Sequence, residues 1–280
     1  MIRFSLFLCL MLLAFDAGPA SACGPTSLCQ VGERSYNVRV SEGWDGATHL
    51  PVLLHFHGWG RQGKNVTGNG RITKTASENG MLLLAPNGLG KSWQFWGEQS
   101  EDAGFADKVV ADAAKRWPID RARVYVSGFS YGGSMVWRLA CLRGDSYAGY
   151  MAISGGLRRQ SAMHCKGPVQ LAHVHGLDDG VYSLPVGPFE PAESSMKVWR
   201  RTNGAAEAPN RRYSWSRYDC RNWDGTHPLT LCTHPRGHYT QGLVGLGAAA
   251  DDEATLIRLC PTGRSMRYRR AYAVGKRALT

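Results

Sequence analysis

Apolar positions along the chain fall into two rhythms that take turns. Residues 34–40, RSYNVRV, alternate polar and apolar side chains, the period of a strand with one buried face, and read as an edge strand. Residues 50–57, LPVLLHFH, and 81–86, MLLLAP, are short unbroken apolar runs, as expected of strands covered on both faces. Between them, 71–80 carries a helical pattern that ends on Gly80, a residue suited to a helix C-terminus. The turn-taking continues with a helix over 103–118 stopped by Pro118, a strand over 123–129 and a helix over 131–141. Strands over 147–154 and 168–176 follow, then a helix over 191–204 with Pro near its start and Gly at its end. Strand and helix alternating over most of the chain predict an α/β fold: one domain, a mainly parallel central sheet and helices on both faces. In such a sheet the chemistry gathers at the carboxyl ends of the strands, here the turns after residues 57, 86, 129 and 176.

The two ends depart from this rhythm. MIRFSLFLCLMLLAF places a basic residue before a short apolar run, and Gly18-Pro19 and the small residues Ala20-Ser21-Ala22 follow. The run is too short to span a bilayer, so residues 1–22 read as a secretion signal cleaved after Ala22. Export agrees with the cysteines that remain: Cys23, Cys29, Cys141, Cys165, Cys220, Cys232 and Cys260. Closeness in sequence pairs 23 with 29, 141 with 165 and 220 with 232, which leaves Cys260 alone. A second reading of ASAC is a lipoprotein box, with Cys23 carrying a lipid that would hold the protein at a membrane surface. A structural zinc site is not expected: no C-x-x-C occurs, and Pro235 and Gly237 keep His234 and His238 off a common helical face.

The formal charge is +11, and much of the excess lies at the far end. From Leu256 to Thr280 there are seven Lys or Arg and no acid, a tail able to associate weakly with anionic surfaces, or else a frayed, solvated terminus. No nucleic-acid-binding motif accompanies it, and nucleic acid is set aside as a partner. The chain therefore divides into a signal over 1–22, a main folded domain over 23–262, which carries the candidate chemistry, and a basic tail over 263–280.

Candidate chemistry centres on VYVSGFSYGGSMVW, residues 124–137. With 34 glycines in 280 residues, a G-x-S-x-G pattern alone says little. Here a buried strand leads into Ser130, Gly128 and Gly132 remove side chains from the turn, and a helix leads out, which is the setting a nucleophilic serine requires. A serine nucleophile needs a base and the base an orienting acid, in the order Ser, Asp or Glu, His. Asp178 and Asp179 follow the strand that ends at Gly176, and His238 lies in a late loop, with His234 as the second choice. An oxyanion needs donors: the Tyr131 N–H after the nucleophile, and the Trp59 N–H in the loop HFHGWG. His57, just before the glycine of that loop, is expected to brace it by hydrogen bonds. Trp59, Trp93, Trp96 and Tyr131 lie in or beside these loops, either lining an apolar pocket or packing beneath them.

At these residues the chain resembles secreted polyhydroxybutyrate depolymerase-like esterases, which are related to feruloyl and acetylxylan esterases. The resemblance runs in order from about Cys23 to about Gly245 through CGPTSLCQVGERSYNVRVSEGWDG, LPVLLHFHGWG, LLLAPNGLGKSW, RWPIDRARVYVSGFSYGGSMVWRLAC, HVHGLDDGV and LCTHPRGHYTQG. It implies an α/β-hydrolase fold and a Ser–Asp–His triad without metal or organic cofactor. The pattern H-G-x-x-D selects Asp179 over Asp178, and Gly237 before the histidine supports His238. The segment GVYSLPVGPFEP departs from the family, and the end CPTGRSMRYRRAYAVGKRALT has no counterpart in it. The implied activity is hydrolysis of hydroxyalkanoate oligomers or similar esters through an acyl-enzyme. The catalytic domain takes up the chain, leaving no room for a polymer-binding module and favouring soluble esters. The alternatives are a feruloyl or acetylxylan esterase acting on plant-wall esters, a serine peptidase, or a non-catalytic surface-binding protein.

Overall fold

The computed structural model describes residues 23–24, 27–96, 100–157, 165–182, 192–215 and 217–238. The expected signal, Cys260 and the basic tail lie outside these residues. Ten strands form one sheet: β1 (Cys29–Val31), β2 (Arg34–Arg39), β3 (Leu50–Phe56), β4 (Leu82–Pro86), β5 (Ile119–Phe129), β6 (Gly149–Ile153), β7 (Leu171–Gly176), β8 (Arg211–Trp215), β9 (Tyr218–Trp223) and β10 (Leu229–His234). Their order across the sheet is β1-β2-β4-β3-β5-β6-β7-β10-β9-β8. From β4 to β10 every pairing is parallel, and antiparallel strands extend both ends. The helices are α1 (Gly63–Thr67), α2 (Gly70–Glu78), α3 (Glu101–Arg116), α4 (Tyr131–Arg143) and α5 (Ala192–Thr202). None of the described helices is long and apolar enough to cross a membrane.

The unbroken apolar runs belong to strands buried on both faces because successive side chains point opposite ways. Leu54, Leu84 and Val126 enter the large core with Val109 of α3 and Met135 and Trp137 of α4. Their neighbours Leu53, Leu83 and Tyr125 meet Ile72 and Ala76 of α2 on the other face. Each such side chain contributes about 1.5–3 kcal/mol by leaving water. The α3 helix begins where the Ser100 hydroxyl accepts the Ala103 N–H at 3.4 Å, with Glu101 and Asp102 in its first turn beside the positive end of the helix dipole.

One expectation needs correction. Residues 34–39 are not an edge strand, because Cys29–Val31 adds a further antiparallel strand outside them. The region 211–234, for which the sequence pattern predicts no element, forms three strands. Their register places Cys220 directly opposite Cys232, and the two are bonded. The pairs Cys23–Cys29 and Cys141–Cys165 also form. Bonding to Cys29 uses the sulfur of Cys23, leaving none for a lipid thioether. Three disulfides are consistent with an oxidising compartment.

Candidate active site

The strand β5 hands over to α4 at Ser130, which sits at φ 57°, ψ −118°. That backbone is unfavourable for a residue with a side chain, costing about 1–3 kcal/mol, and persists because its surroundings over-determine it. Ser130 N–H donates to the Ile153 carbonyl at 2.9 Å, and the Ser130 carbonyl accepts the Ser134 N–H at 2.9 Å. The turn is tight on both sides. A Cβ on Gly132 would collide with the Phe56 carbonyl, and one on Gly128 would come within 2.5 Å of the Gly132 carbonyl oxygen. The glycines of the motif are there for space, and the result lifts the serine clear of the strand ends.

Asp179 follows β7, and His238 follows β10, its parallel neighbour. The loops after these strands are therefore side by side although they are far apart in sequence. The Leu177 N–H donates to the His234 carbonyl at 2.8 Å and the Asp178 N–H to the Arg236 carbonyl at 3.2 Å. This seating brings His238 Nδ1 to 2.7 Å from Asp179 Oδ2 and His238 Nε2 to 2.8 Å from Ser130 Oγ. A carboxylate can only accept, so Nδ1 carries the proton, and the bare Nε2 accepts the serine hydroxyl. The ring of Phe129 lies 5.0 Å from that of His238.

Asp179 is 2% exposed. Burial pushes its carboxyl up, but hydrogen bonds from His238 and from the Tyr182 N–H outweigh it, and the carboxyl titrates below its ordinary value. Its Oδ1 accepts the Val181 and Tyr182 N–H groups at 2.9 and 2.8 Å. Asp178, the alternative acid, instead ties the two loops together through its backbone. His234, the alternative base, is buried, accepts the Arg236 N–H through Nδ1 at 3.3 Å and packs edge-on to Tyr218. Its place is structural.

The loop after β3 approaches the serine from the other side. Gly58 is so close that a Cβ there would lie 3.8 Å from that of Ser130. His57 Nδ1 donates to the Gly58 carbonyl at 2.8 Å, and its Nε2 accepts the Gly88 N–H at 3.1 Å. The same carbonyl accepts the Arg61 N–H at 3.2 Å. These bonds pin the Gly58–Trp59 peptide plane, and a trans peptide aims its N–H opposite its carbonyl. Burial holds His57 below the ordinary histidine range, so it serves as a neutral donor and acceptor. The bracing expected of His57 is observed. Tyr131 begins α4, where the N–H groups of the first turn have no partner within the helix.

Aromatic rings form a wall beside the serine: Trp59 lies 6.4 Å from Tyr131, Tyr131 5.0 Å from Phe95, and Phe95 4.7 Å from Trp96. Trp59 and Trp96 are 68% and 46% exposed. Leu177 and Val181 on the acid loop are also exposed. Trp93 belongs to the packing instead. It is buried, edge-on to Phe56, and donates its indole N–H to the His57 carbonyl at 2.7 Å.

Sequence reasoning passed over His173 and His175, which are buried behind Asp179 and in contact with each other. The signal was present in HVH within a strand, since residues two apart on a strand share a face. Among the described residues, no group of His, Cys, Asp and Glu is arranged to hold a metal ion.

No family model matches the chain. Over 256 residues it is 26% identical to the probable feruloyl esterase C of Aspergillus clavatus, an alignment covering 84% of this chain and 88% of that protein. An acetyl xylan esterase from Aspergillus awamori superposes with a TM-score of 0.63 at 15% identity, covering 76% of this chain and 94% of that one. A poly(3-hydroxybutyrate) depolymerase from Bordetella parapertussis superposes at 0.51 and 18% identity, covering 81% of this chain and 90% of that one. The fold is that of the α/β-hydrolases, and the chain is a serine esterase of that fold.

Proposed function

We propose that this serine esterase is exported and cleaves carboxylic esters through an acyl-enzyme on Ser130, with His238 as general base and acid and Asp179 as its orienting partner. The observation that carries the reading is the unbroken chain of hydrogen bonds from Asp179 through His238 to Ser130. As Ser130 Oγ attacks the ester carbonyl, its proton passes to His238 Nε2. The imidazolium so formed is stabilised by the Asp179 carboxylate. The carbonyl oxygen becomes an oxyanion, received by the Tyr131 N–H and by the Trp59 N–H that His57 aims. Collapse of the tetrahedral intermediate expels the alcohol, which takes the proton from His238. Water, deprotonated by the same imidazole, then releases the acid and restores the serine.

For the substrate, the motifs of the sequence point first to hydroxyalkanoate oligomers, with plant-wall esters as the alternative. The alignment to a feruloyl esterase and the wall from Trp59 to Trp96 support giving first place to esters of an aromatic acid on a carbohydrate. Flat rings beside the nucleophile offer stacking surface to a planar acyl group. Hydroxyalkanoate oligomers are the second reading, supported by the motif resemblance.

The test is a panel of feruloyl esters, acetylated xylan, hydroxybutyrate oligomers and short nitrophenyl esters, run beside labelling with a fluorophosphonate probe. Highest kcat/KM on feruloyl esters and labelling lost in Ser130→Ala are expected. Labelling that survives Ser130→Ala overturns the nucleophile, and preference for the oligomers reverses the substrate order.

A further inference from the structure

The proposed mechanism leaves two buried histidines of β7 without a task. His173 and His175 are both 0% exposed. Two residues apart on one strand, they face the same way, and His173 Nε2 lies 3.2 Å from His175 Nδ1. The outer nitrogens face oxygen. His173 Nδ1 lies 2.9 Å from the Ala152 carbonyl of β6. His175 Nε2 meets the Tyr182 carbonyl and lies 3.6 Å from Asp179 Oδ2.

The protons on this chain can be counted. A backbone carbonyl only accepts, and so does a carboxylate, so both outer nitrogens must carry hydrogen. The inner nitrogen–nitrogen contact needs one hydrogen more, because two bare lone pairs would otherwise face each other. That makes three protons on two imidazoles, one more than two neutral rings hold. We infer that His173 and His175 share a single extra proton, and that this buried cationic pair is the counter-ion and positioning element for the Asp179 carboxylate.

Burial, the largest influence on both rings, opposes the charge; the nearness of His175 opposes it further on His173, and that of His238 does so on His175. Asp179 and the Tyr182 carbonyl act the other way on His175. A neutral pair would leave one of its three contacts without a hydrogen, in a place that water does not reach, where such a loss is costly. The charged pair satisfies all three and lies beside a carboxylate that is itself almost completely buried. The groups facing the pair fit this assignment. Asp179 approaches from the acid loop, while His234 and His238 come from the end of β10 and the loop after it. The ring of Trp137 on α4 lies 5.2 Å from His173, and β6 presents the Ala152 carbonyl.

The pair also has a mechanical effect. It links the Ala152 carbonyl in mid-sheet to the Tyr182 carbonyl, while the Tyr182 N–H holds Asp179 Oδ1. The acid loop is thus tied to the buried central sheet at the residue that fixes the carboxylate.

The inference rests on the roles proposed for Asp179 and His238, but its first test does not use activity. Protein labelled with nitrogen-15 in its histidines is observed by NMR at neutral pH, with His173→Gln and His175→Gln identifying the two rings. Three slowly exchanging imidazole N–H protons on the pair are expected, and two would overturn the inference. The second test is the pH profile of kcat/KM. In His173→Gln the amide still donates to His175 Nδ1, but the extra proton is gone. Loss of that positive charge beside Asp179 eases protonation of His238, moving the acid limb to higher pH by about half a unit to one unit. A folded His173→Gln protein whose acid limb does not move would overturn the electrostatic role. Loss of all activity in Ser130→Ala bears on the nucleophile alone, so failures of the two readings are distinguishable.

Discussion

Gly176 is pressed against the backbone of Arg236, with no room between them for even one carbon: a Cβ on residue 176 would collide with that carbonyl oxygen. This contact seats the acid loop on the histidine loop. Gly176→Ala should therefore force the loops apart and lengthen the Asp179–His238 bond. The expected result is a fall in kcat on the order of 10²-fold with a smaller change in KM, measured on a short nitrophenyl ester. Circular dichroism should show the sheet intact. An unchanged kcat would mean that the loops are seated by other contacts.

Asp179→Asn removes the acceptor that fixes the proton on His238 Nδ1. The ring is then free to present an N–H toward Ser130, where a lone pair is needed. A fall in kcat of about 10³–10⁴-fold is expected, with fluorophosphonate labelling slowed in parallel. Asp178→Asn, which leaves the backbone bond to Arg236 intact, should stay within about threefold of the parent.

In the proposed mechanism, His57 acts on the oxyanion at one remove, through the peptide it holds. His57→Ala leaves the Gly58 carbonyl held by the Arg61 N–H alone and loosens the Trp59 N–H. The effect should fall on kcat rather than KM, approaching the roughly 10²-fold loss typical of one missing oxyanion donor. Steady-state kinetics on a single ester will separate the two constants, and a change confined to KM would point to substrate contact instead.

Trp59→Ala and Trp96→Ala test the aromatic wall. Removing either exposed ring should raise KM for a feruloyl ester about three- to tenfold, the size of one modest apolar contact, and leave acetyl esters nearly unchanged. Equal losses on both substrates would assign these rings to loop packing.

His55, buried on β3 with its Nδ1 2.8 Å from the Ser127 hydroxyl, is pushed by burial down to about 4. The unfolded chain binds this proton near pH 6.5 and the folded chain does not. Stability from this residue is thus complete above pH 6.5 and declines as pH falls towards about 4. Between pH 7.5 and 5 the decline should amount to roughly 2 kcal/mol, read from urea unfolding. His55→Gln should be less stable at pH 7.5 but lose less on acidification, and a parallel decline would exonerate this residue.

Much of this site could be read in the sequence because its chemistry is tied to local backbone demands. The Ser130 turn announces itself through glycines that leave room for carbonyls, and Asp179 and His238 each follow a recognisable glycine-bearing loop. The pairs 23–29, 141–165 and 220–232 were visible because each closes a short loop. What stayed hidden depends on partners distant in the chain. The strands β8 and β9 alternate polar and apolar residues over only a few positions each, a pattern too short to stand out before their pairing is known. The place of β10 beside β7 is set by sheet order, which no local pattern encodes. The His173–His175 pair had the right spacing for a shared face, but that face acquires its meaning only from Ala152, Tyr182 and Asp179 around it.

The strand that seats the base is the last described one in chain order, and it must dock in parallel beside a strand from mid-chain. The proposed nucleophile and oxyanion loop can be in place before that docking, which adds Leu229 and Leu231 to the core. Hydrolytic turnover should accordingly be the last property to return when the denatured protein refolds, lagging behind recovery of sheet and helix signals. On mild denaturation it should be the first to go. The reaction thus reports on completion of the fold, a finer gauge than spectroscopy of the sheet alone.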